Sequence, residues 1–154
     1  MGNSRELPEL VNFREPLFDF VFSCPPYYDL EVYSDDPADL SNLGSYSDFL
    51  VSYRDIIKTT SRYLKTDSFA CFVVSDIRDE DGNYRGLPSD TIWAFEQAGL
   101  HLYNDIILLT AIGSLPIRAG KHFAAGRKVG KAHQNVLVFV KGDGKKAAQK
   151  CEQL

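Results

Sequence analysis

The sequence predicts an α/β fold in which helices cover a sheet of mainly parallel strands. Apolar runs of strand length alternate with segments whose apolar residues recur at helical spacing. This alternation is typical of parallel sheets. A length of 154 residues suffices for one domain with a sizeable core, so we expect a single domain over residues 1–154.

The first half of the chain predicts a strand, a loop, a helix and a second strand. Residues 18–23 are almost entirely apolar, as in a strand that is covered on both faces. A polar, acidic loop over residues 28–44 leads to a helix that begins after Ser45, where Asp48 completes a pattern like a capping box. Residues 68–75 form the second predicted strand.

The second half adds a short helix over residues 88–98 and strands over residues 101–111 and 134–141. No helix is predicted between these last two strands, so we expect them to pair as an antiparallel hairpin at one edge of the sheet. The charged tail over residues 142–154 is expected to be flexible.

Charge is distributed unevenly along the chain. Residues 1–105 hold 8 Lys/Arg and 19 Asp/Glu, a net charge of −11, whereas residues 106–154 hold 9 Lys/Arg and 2 Asp/Glu, a net charge of +7. A basic third on an acidic body indicates a polyanionic partner, such as a nucleic acid.

Cysteine usage and hydropathy exclude several classes of protein. Cys24, Cys71 and Cys151 are too few and too scattered for a disulfide framework or a zinc site. No apolar run approaches the ~18 residues of a membrane span, and the first residues lack the apolar core of a signal peptide. We therefore expect a cytoplasmic protein without a membrane partner.

The most informative motif is Cys24-Pro25-Pro26-Tyr27, directly after the first predicted strand. Two prolines end a strand because they fix φ and donate no backbone hydrogen bond, while their carbonyls can still accept. In open α/β sheets, ligands bind at the carboxyl ends of the strands. Carbonyl acceptors beside an aromatic ring suit a planar group that carries an NH₂, such as a nucleobase.

A second candidate site is the Gly-rich loop over residues 115–133, which contains five cations and no acidic residue. Uncompensated cations on such a segment favour contacts with a phosphate backbone. The predicted nucleic-acid contacts are Arg118, Lys121, Arg127, Lys128, Lys131 and His133.

The acidic loops over residues 29–39 and 76–81 lack the spacing of a calcium loop, so we predict no metal site. Asp76 is of separate interest because it directly follows the second predicted strand. It is therefore expected at the same edge of the sheet as the Pro-Pro turn.

With these elements in place, the chain resembles the amino-methyltransferases that modify DNA bases. Their catalytic motif is Asp/Asn/Ser-Pro-Pro-Tyr/Phe/Trp, and here SCPPY, FACFVVSDIRD and KVGKAHQNVLVFVKGD resemble three of their segments. The resemblance is strongest to phage and prophage DNA methylases, and it extends roughly from Gly2 to Asp143. It implies part of a class I (Rossmann-like) methyltransferase sheet, namely its fourth to seventh strands with two to three helices.

The resemblance also implies a reaction, the transfer of a methyl group from S-adenosylmethionine to the exocyclic amino group of adenine or cytosine in DNA. The target base would be flipped out of the duplex and stacked on Tyr27, and the Pro25 carbonyl would accept from its amino group. Cys24, Pro25, Pro26 and Tyr27 would form the catalytic motif, and Ser23 and Asp76 would contact the cofactor.

The chain departs from the family pattern in two ways. Cys24 stands where the family has Asp, Asn or Ser, and sulfur is a weak acceptor. The family's Phe-x-Gly-x-Gly cofactor turn is absent, so the chain resembles the C-terminal half of a methyltransferase. A second chain that supplies the cofactor turn, or a homodimer, is therefore expected.

Two alternatives remain open at this point. The chain could be a nucleic-acid-binding remnant without catalytic activity, or it could methylate RNA or protein, because related Asn-Pro-Pro-Tyr motifs occur in such enzymes. The basic loop favours nucleic acid over protein but does not distinguish DNA from RNA.

Overall fold

The computed structural model describes residues 4–11, 18–111, 113 and 115–152, apart from the side chains of residues 5, 10, 11 and 118. Its helices are α1 (Leu7–Val11), α2 (Tyr46–Tyr63), α3 (Leu87–Gln97), α4 (Leu115–Gly126) and α5 (Gly144–Cys151), with short 3₁₀ turns at Ser4–Glu6 and Leu40–Asn42. Its strands are β1 (Phe18–Ser23), β2 (Leu64–Val74), β3 (His101–Leu109) and β4 (His133–Lys141).

The four strands form one sheet in the order β1-β2-β4-β3. β1 runs parallel to β2, with Ser23 opposite Phe72. β4 is antiparallel to both of its neighbours, with Asn135 opposite Val74 of β2 and His133 opposite Leu109 of β3. The carboxyl ends of β1, β2 and β3 and the amino end of β4 therefore meet at one edge of the sheet, which we call the carboxyl edge.

Helix α2 begins where the sequence predicts. The Ser45 hydroxyl accepts a hydrogen bond from the Asp48 backbone N–H over 3.1 Å, which satisfies a donor that the first turn would otherwise leave free. Phe49, Tyr53 and Ile57 on one face of the helix are buried, as their spacing predicts. The Ser45 N-cap and the amphipathic face are thus confirmed.

The core lies between α2, α3 and one face of the sheet. Phe49 and Tyr53 of α2 stack with ring centroids 5.3 Å apart, and the Tyr53 ring lies 6.4 Å from the Phe72 ring of β2. Phe95 of α3 stacks on Phe139 of β4 at 3.9 Å and meets Phe72 of β2 edge-on at 4.9 Å. These aromatic contacts fix both helices against the two central strands.

The predicted α/β fold class is confirmed, and so is the antiparallel pairing of the last two strands. Two of the three strand pairings in the described sheet are antiparallel, however, whereas the alternation of elements predicts mainly parallel pairing. Of these last two strands, β4 lies inside the sheet and β3 lies at its edge. β2 also begins four residues earlier than predicted, at Leu64, which is fully buried and directly follows α2.

Two further predictions were wrong. The predicted loop over residues 115–133 contains the twelve-residue helix α4. Gly120, a residue type that is typical of loops, lies inside this helix and does not end it. The tail predicted to be flexible contains helix α5, whose first turn is capped by Asp143 and whose Ala147 is buried. Residues 153 and 154 of that tail lie outside the described residues.

Within the described ranges, no helix is both long and apolar enough to cross a membrane.

Candidate functional site at the carboxyl edge

The turn after β1 is held rigidly by the residue that follows the motif. Tyr28 has a positive φ of 54° and a buried ring that packs against Tyr46 and Phe49 of α2, each at 5.7 Å between centroids. The Leu30 N–H donates to the Tyr27 carbonyl at 3.3 Å. Because the chain is anchored on both sides, the Pro-Pro turn presents Cys24 and Tyr27 at the carboxyl edge.

Two hydrogen bonds fix the Tyr27 side chain. Its hydroxyl donates to the Val73 carbonyl of β2 at 3.4 Å and accepts from the Gln134 amide of β4 at 2.8 Å. Partial burial raises the pKa of Tyr27, so the hydroxyl stays protonated and can donate at neutral pH. The ring is thereby tied to the two central strands.

Beside this ring lies a cavity of about 320 Å³, which we call the turn pocket. It is lined by Cys24, Pro25 and Tyr27 of the turn, by Leu30, Glu31 and Tyr33 of the acidic loop, and by Gln134. Within it, the Tyr33 hydroxyl donates to a Glu31 carboxylate oxygen at 2.8 Å, and this bond raises the pKa of Tyr33. The pocket combines an aromatic wall with several hydrogen-bond acceptors.

A second, larger cavity of about 580 Å³ lies next to it, and we call it the acidic pocket. Cys24 and Tyr33 line both cavities, so they form the wall between them. The acidic pocket adds the carboxylates of Asp36 and Asp39 and apolar surface from Pro26, Leu40 and Ile56.

Asp39 keeps its negative charge at neutral pH. Its carboxylate accepts from the Ser41 backbone N–H and from the hydroxyls of Ser34 and Ser41, and these bonds hold the pKa of Asp39 below its usual range. The Asp36 carboxylate accepts from the Ala38 N–H through one oxygen. The acidic pocket can therefore attract a cationic group.

Ser23 and Asp76, the residues that the sequence suggests for cofactor binding, line neither of these pockets. One carboxylate oxygen of Asp76 accepts from the Ile77 N–H at 3.0 Å and from the Gly86 N–H at 2.8 Å. These bonds close the loop between β2 and α3. Asp76 follows β2 at the carboxyl edge as expected, and its role in cofactor binding stays a prediction.

The predicted nucleic-acid residues fall on α4, on the segment after it and at the start of β4. Lys121 and Arg127 are exposed, whereas Lys128, Lys131 and His133 are half-buried. The Arg118 side chain lies outside the described residues. Lys121, Arg127, Lys128 and Lys131 form no ion pair with any residue that the structure describes.

Some of these cations line a third cavity of about 440 Å³, which we call the basic pocket. Lys128 and Lys131 line it together with His122 and with Arg78 from the loop after β2. The Arg78 guanidinium lies 3.9 Å from the centre of the Tyr84 ring and donates to the Gly82 carbonyl at 2.7 Å. Arg78 is not predicted from the sequence, because it lies among acidic neighbours in the chain.

Four residues of the turn pocket were also not predicted as site residues: Leu30, Glu31, Tyr33 and Gln134. Gln134 follows His133 immediately, and the strand pattern of β4 alone gives no reason to single it out.

Among the described residues, no group of three or more His, Cys, Asp or Glu side chains could hold a metal ion.

Comparison with known proteins shows the fold to which this site belongs. No protein-family profile and no curated protein sequence matches the chain. Among solved structures, it is similar to TTHA0409 of Thermus thermophilus, a protein assigned as a DNA modification methylase, with 21% identity and a TM-score of 0.67 over 94% of this chain and 53% of that one. The same protein complexed with S-adenosyl-L-methionine matches with 19% identity and a TM-score of 0.66, over 94% of this chain and 55% of that one.

The chain is also similar to the cytosine-N4-specific DNA methyltransferase PvuII, with 20% identity and a TM-score of 0.59 over 91% of this chain and 47% of that one. These likenesses establish the fold, a mixed α/β sheet with helices that is similar to the sheet of the matched class I methyltransferases. The chain spans about half the length of the structures that it matches.

Proposed function

We propose that this chain is the base-binding part of a DNA amino-methyltransferase, which transfers a methyl group from S-adenosylmethionine to the exocyclic amino group of adenine or cytosine. The observation that carries the proposal is the Tyr27 ring, which Gln134 and Val73 hold against the wall of the turn pocket. A ring held in this way is a stacking surface for a base that has left the duplex. Likeness to methylases that act on DNA favours this class over other uses of the pocket.

The residues of the turn would position the amino group. The Pro25 carbonyl belongs to a rigid turn and would accept an N–H of the target, which would keep the nitrogen lone pair directed at the methyl group. When bound, S-adenosylmethionine would supply the methyl group: its carbon–sulfur bond would break with both electrons staying on sulfur as the bond to nitrogen forms, and the amino nitrogen would then lose one proton to water. The chain thus contributes orientation and electrostatic stabilisation without forming a covalent bond to the base.

The acidic pocket fits the chemistry of S-adenosylmethionine. Asp36 and Asp39 would attract its ammonium group, and Leu40 and Ile56 would contact its apolar parts. This pocket adjoins the turn pocket at Cys24, where a cofactor must meet its target base. Ser23 and Asp76 remain the further candidates for cofactor contacts that the sequence suggests.

The cations around α4 would bind the phosphate backbone. Lys121, Arg127, Lys128 and Lys131 lie on or beside the segment that connects β3 to β4, and this segment leaves and enters the sheet at the carboxyl edge. DNA held by this segment would therefore lie next to the turn pocket. Such contacts give binding that weakens steeply with salt.

We further propose that β1 pairs with a partner that carries the missing cofactor turn. β1 forms an edge of the described sheet, and Phe20 and Phe22 on it are 55% and 61% exposed. An exposed, apolar strand edge is a template for strand pairing. The partner would be a further stretch of methyltransferase sheet, in the same polypeptide or in a second chain. Pairing of β1 with another copy of this chain, which would not supply the cofactor turn, is the alternative.

A salt titration of DNA binding tests the contact residues. We expect the replacement of Lys121, Arg127, Lys128 and Lys131 by Ala to lower the slope of log affinity against log salt by roughly 0.7–0.9 for each phosphate that the variant no longer neutralises. The matched control replaces Lys145 and Lys146, two exposed cations on α5, and should leave the slope unchanged. Equal slopes for the wild type and the Ala variant would contradict the proposed interface.

Calorimetry and transfer of a labelled methyl group test the reaction. We expect the isolated chain to bind S-adenosylmethionine weakly, and transfer to DNA to require a protein segment with the glycine-rich turn. Micromolar cofactor affinity of the chain alone would refute the need for a partner. Salt-dependent DNA binding without transfer in the presence of that segment would identify a binding module without catalytic activity.

A further inference from the structure

The turn that carries Cys24 and Pro25 does not by itself supply two strong hydrogen-bond acceptors for the target amino group. An exocyclic amino group has two N–H donors, and the Pro25 carbonyl can accept only one of them in the proposed arrangement. Cys24 is exposed at the pocket wall, but its sulfur accepts hydrogen bonds weakly. A second acceptor must come from elsewhere in the pocket.

Glu31 is placed to be that acceptor. Its side chain lines the turn pocket together with Cys24, Pro25 and Tyr27, although it follows the motif by several residues. The Tyr33 hydroxyl donates to one carboxylate oxygen, Oε2, at 2.8 Å and so orients the group. No donor in the described part of the chain bonds to the other oxygen, Oε1.

We infer that the Glu31 carboxylate accepts the second N–H of the target base and selects bases that carry an exocyclic amino group. This inference rests on the proposed function. Adenine and cytosine present an amino donor at this position, whereas thymine presents a carbonyl acceptor. A carboxylate facing that carbonyl leaves two acceptors opposed, so thymine is rejected.

Tyr33 acts as a positioning residue in this arrangement. Its hydrogen bond fixes the rotamer of Glu31 and uses one oxygen, which leaves the other for the base. The Tyr33 ring also forms part of the wall towards the acidic pocket. The pair Glu31–Tyr33 thus replaces the side-chain acceptor that Asp, Asn or Ser would supply at position 24.

Binding of single-stranded homopolymers tests the inference without catalysis. We expect the wild type to bind dA or dC oligonucleotides more tightly than dT oligonucleotides. In Glu31→Gln the new amide can donate to the thymine carbonyl, so the ratio of amino-base to dT affinity should fall by roughly 5- to 100-fold, which is the range for one well-placed base contact. The matched control, Asp35→Asn, removes the same charge from an exposed residue of the same loop that lines neither pocket beside the turn and should leave the ratio unchanged.

A second pair of variants tests the link to position 24. Glu31→Ala should abolish most of the preference for amino bases, and adding Cys24→Asn should restore it, because the new amide oxygen is a strong acceptor. Equal base preferences in the wild type, Glu31→Gln and Asp35→Asn would overturn the inference while leaving the proposed function intact. Absence of binding to every oligonucleotide at low salt would overturn both.

Discussion

The Gln134 side-chain amide donates to the Tyr27 hydroxyl at 2.8 Å, across 107 positions of sequence. This bond joins the first residues of β4 to the turn that ends β1, two strands away in the sheet. It makes the orientation of the Tyr27 ring depend on the whole sheet rather than on the turn alone. The wall of the turn pocket is therefore as rigid as the central strands.

Substitution of Tyr27 should separate stacking from hydrogen bonding. Tyr27→Ala removes the ring and should weaken binding of single-stranded DNA by about 1–3 kcal/mol, the usual contribution of one stacked base. Tyr27→Phe keeps the ring and should retain most of the affinity. Fluorescence anisotropy of a labelled oligonucleotide measures both, and equal losses in the two variants would argue against stacking.

A buried hydroxyl pair stabilises the contact between α2 and α3. The Thr91 hydroxyl donates to the Leu87 carbonyl at 2.8 Å and lies 3.1 Å from the Tyr53 hydroxyl, so Tyr53 must donate to Thr91. Thr91→Val leaves the Tyr53 hydroxyl, in a side chain only 1% exposed, without its acceptor. We expect the free energy of unfolding in urea to fall by about 1–3 kcal/mol.

The double variant checks the cause of that loss. In a Thr91→Val background, Tyr53→Phe removes the orphaned hydroxyl and should cost little more or recover part of the stability. Strictly additive losses would show that the two hydroxyl groups are not coupled.

Two glycines should respond to alanine in opposite directions. Gly142 has a φ of +91°, and a Cβ there would lie 2.6 Å from a carboxylate oxygen of Asp67. Gly142→Ala should therefore destabilise the protein by about 1–2 kcal/mol or more. Gly120 lies inside α4, where an added Cβ would meet no atom within 4 Å, so Gly120→Ala should stabilise by about 0.5–1 kcal/mol.

Thermal denaturation of both variants gives the sign of each effect. A stabilised Gly142→Ala protein would refute the left-handed conformation at that position. A Gly120→Ala protein that is less stable than the wild type would argue against a helix over Leu115–Gly126.

Alkaline titration should detect the buried tyrosines. Burial is the main cause that raises the pKa values of Tyr27, Tyr46 and Tyr53, and the hydrogen bond to Asp90 adds to it for Tyr46. Because these folded-state pKa values lie above the unfolded value of about 10, their contribution to stability is complete below that pH and declines above it. Phenolate absorbance should therefore show these side chains ionising late, as the protein unfolds.

A variant assigns the late phase of that titration. Tyr53→Phe should reduce only the late phase. A single phase near pH 10 for all eight tyrosines would contradict the buried environments.

Short sequence patterns predicted those helix and strand boundaries that depend only on residues close together in the chain. Ser45 and Asp48 mark the start of α2 because a capping box is complete within one turn, and the prolines after Ser23 end β1 for reasons of backbone geometry. Helix α5 carried a similar signal, since Asp143 caps it, but its charged composition suggested a frayed tail. Helix α4 was missed because its glycines and cations are equally typical of a loop.

The candidate site depends on contacts that no local pattern contains. Gln134 reaches Tyr27 only because β4 lies beside β2. Arg78 lines the basic pocket with Lys128 and Lys131 only because the segment after α4 lies near the loop after β2. Glu31 belongs to a loop whose polar composition predicts solvation. Their roles follow from tertiary packing, which sequence spacing does not encode.

The place of β4 between β2 and β3 also sets the order in which the protein can assemble during synthesis. In the described sheet, β3 is hydrogen-bonded to β4 alone, so it has no partner until residues 133–141 have left the ribosome. Until then, the apolar residues of β3 in the nascent chain are exposed to solvent without a pairing strand. A ribosome that stalls before His133 would therefore expose an aggregation-prone strand, and chaperone binding should be greatest at that point of translation.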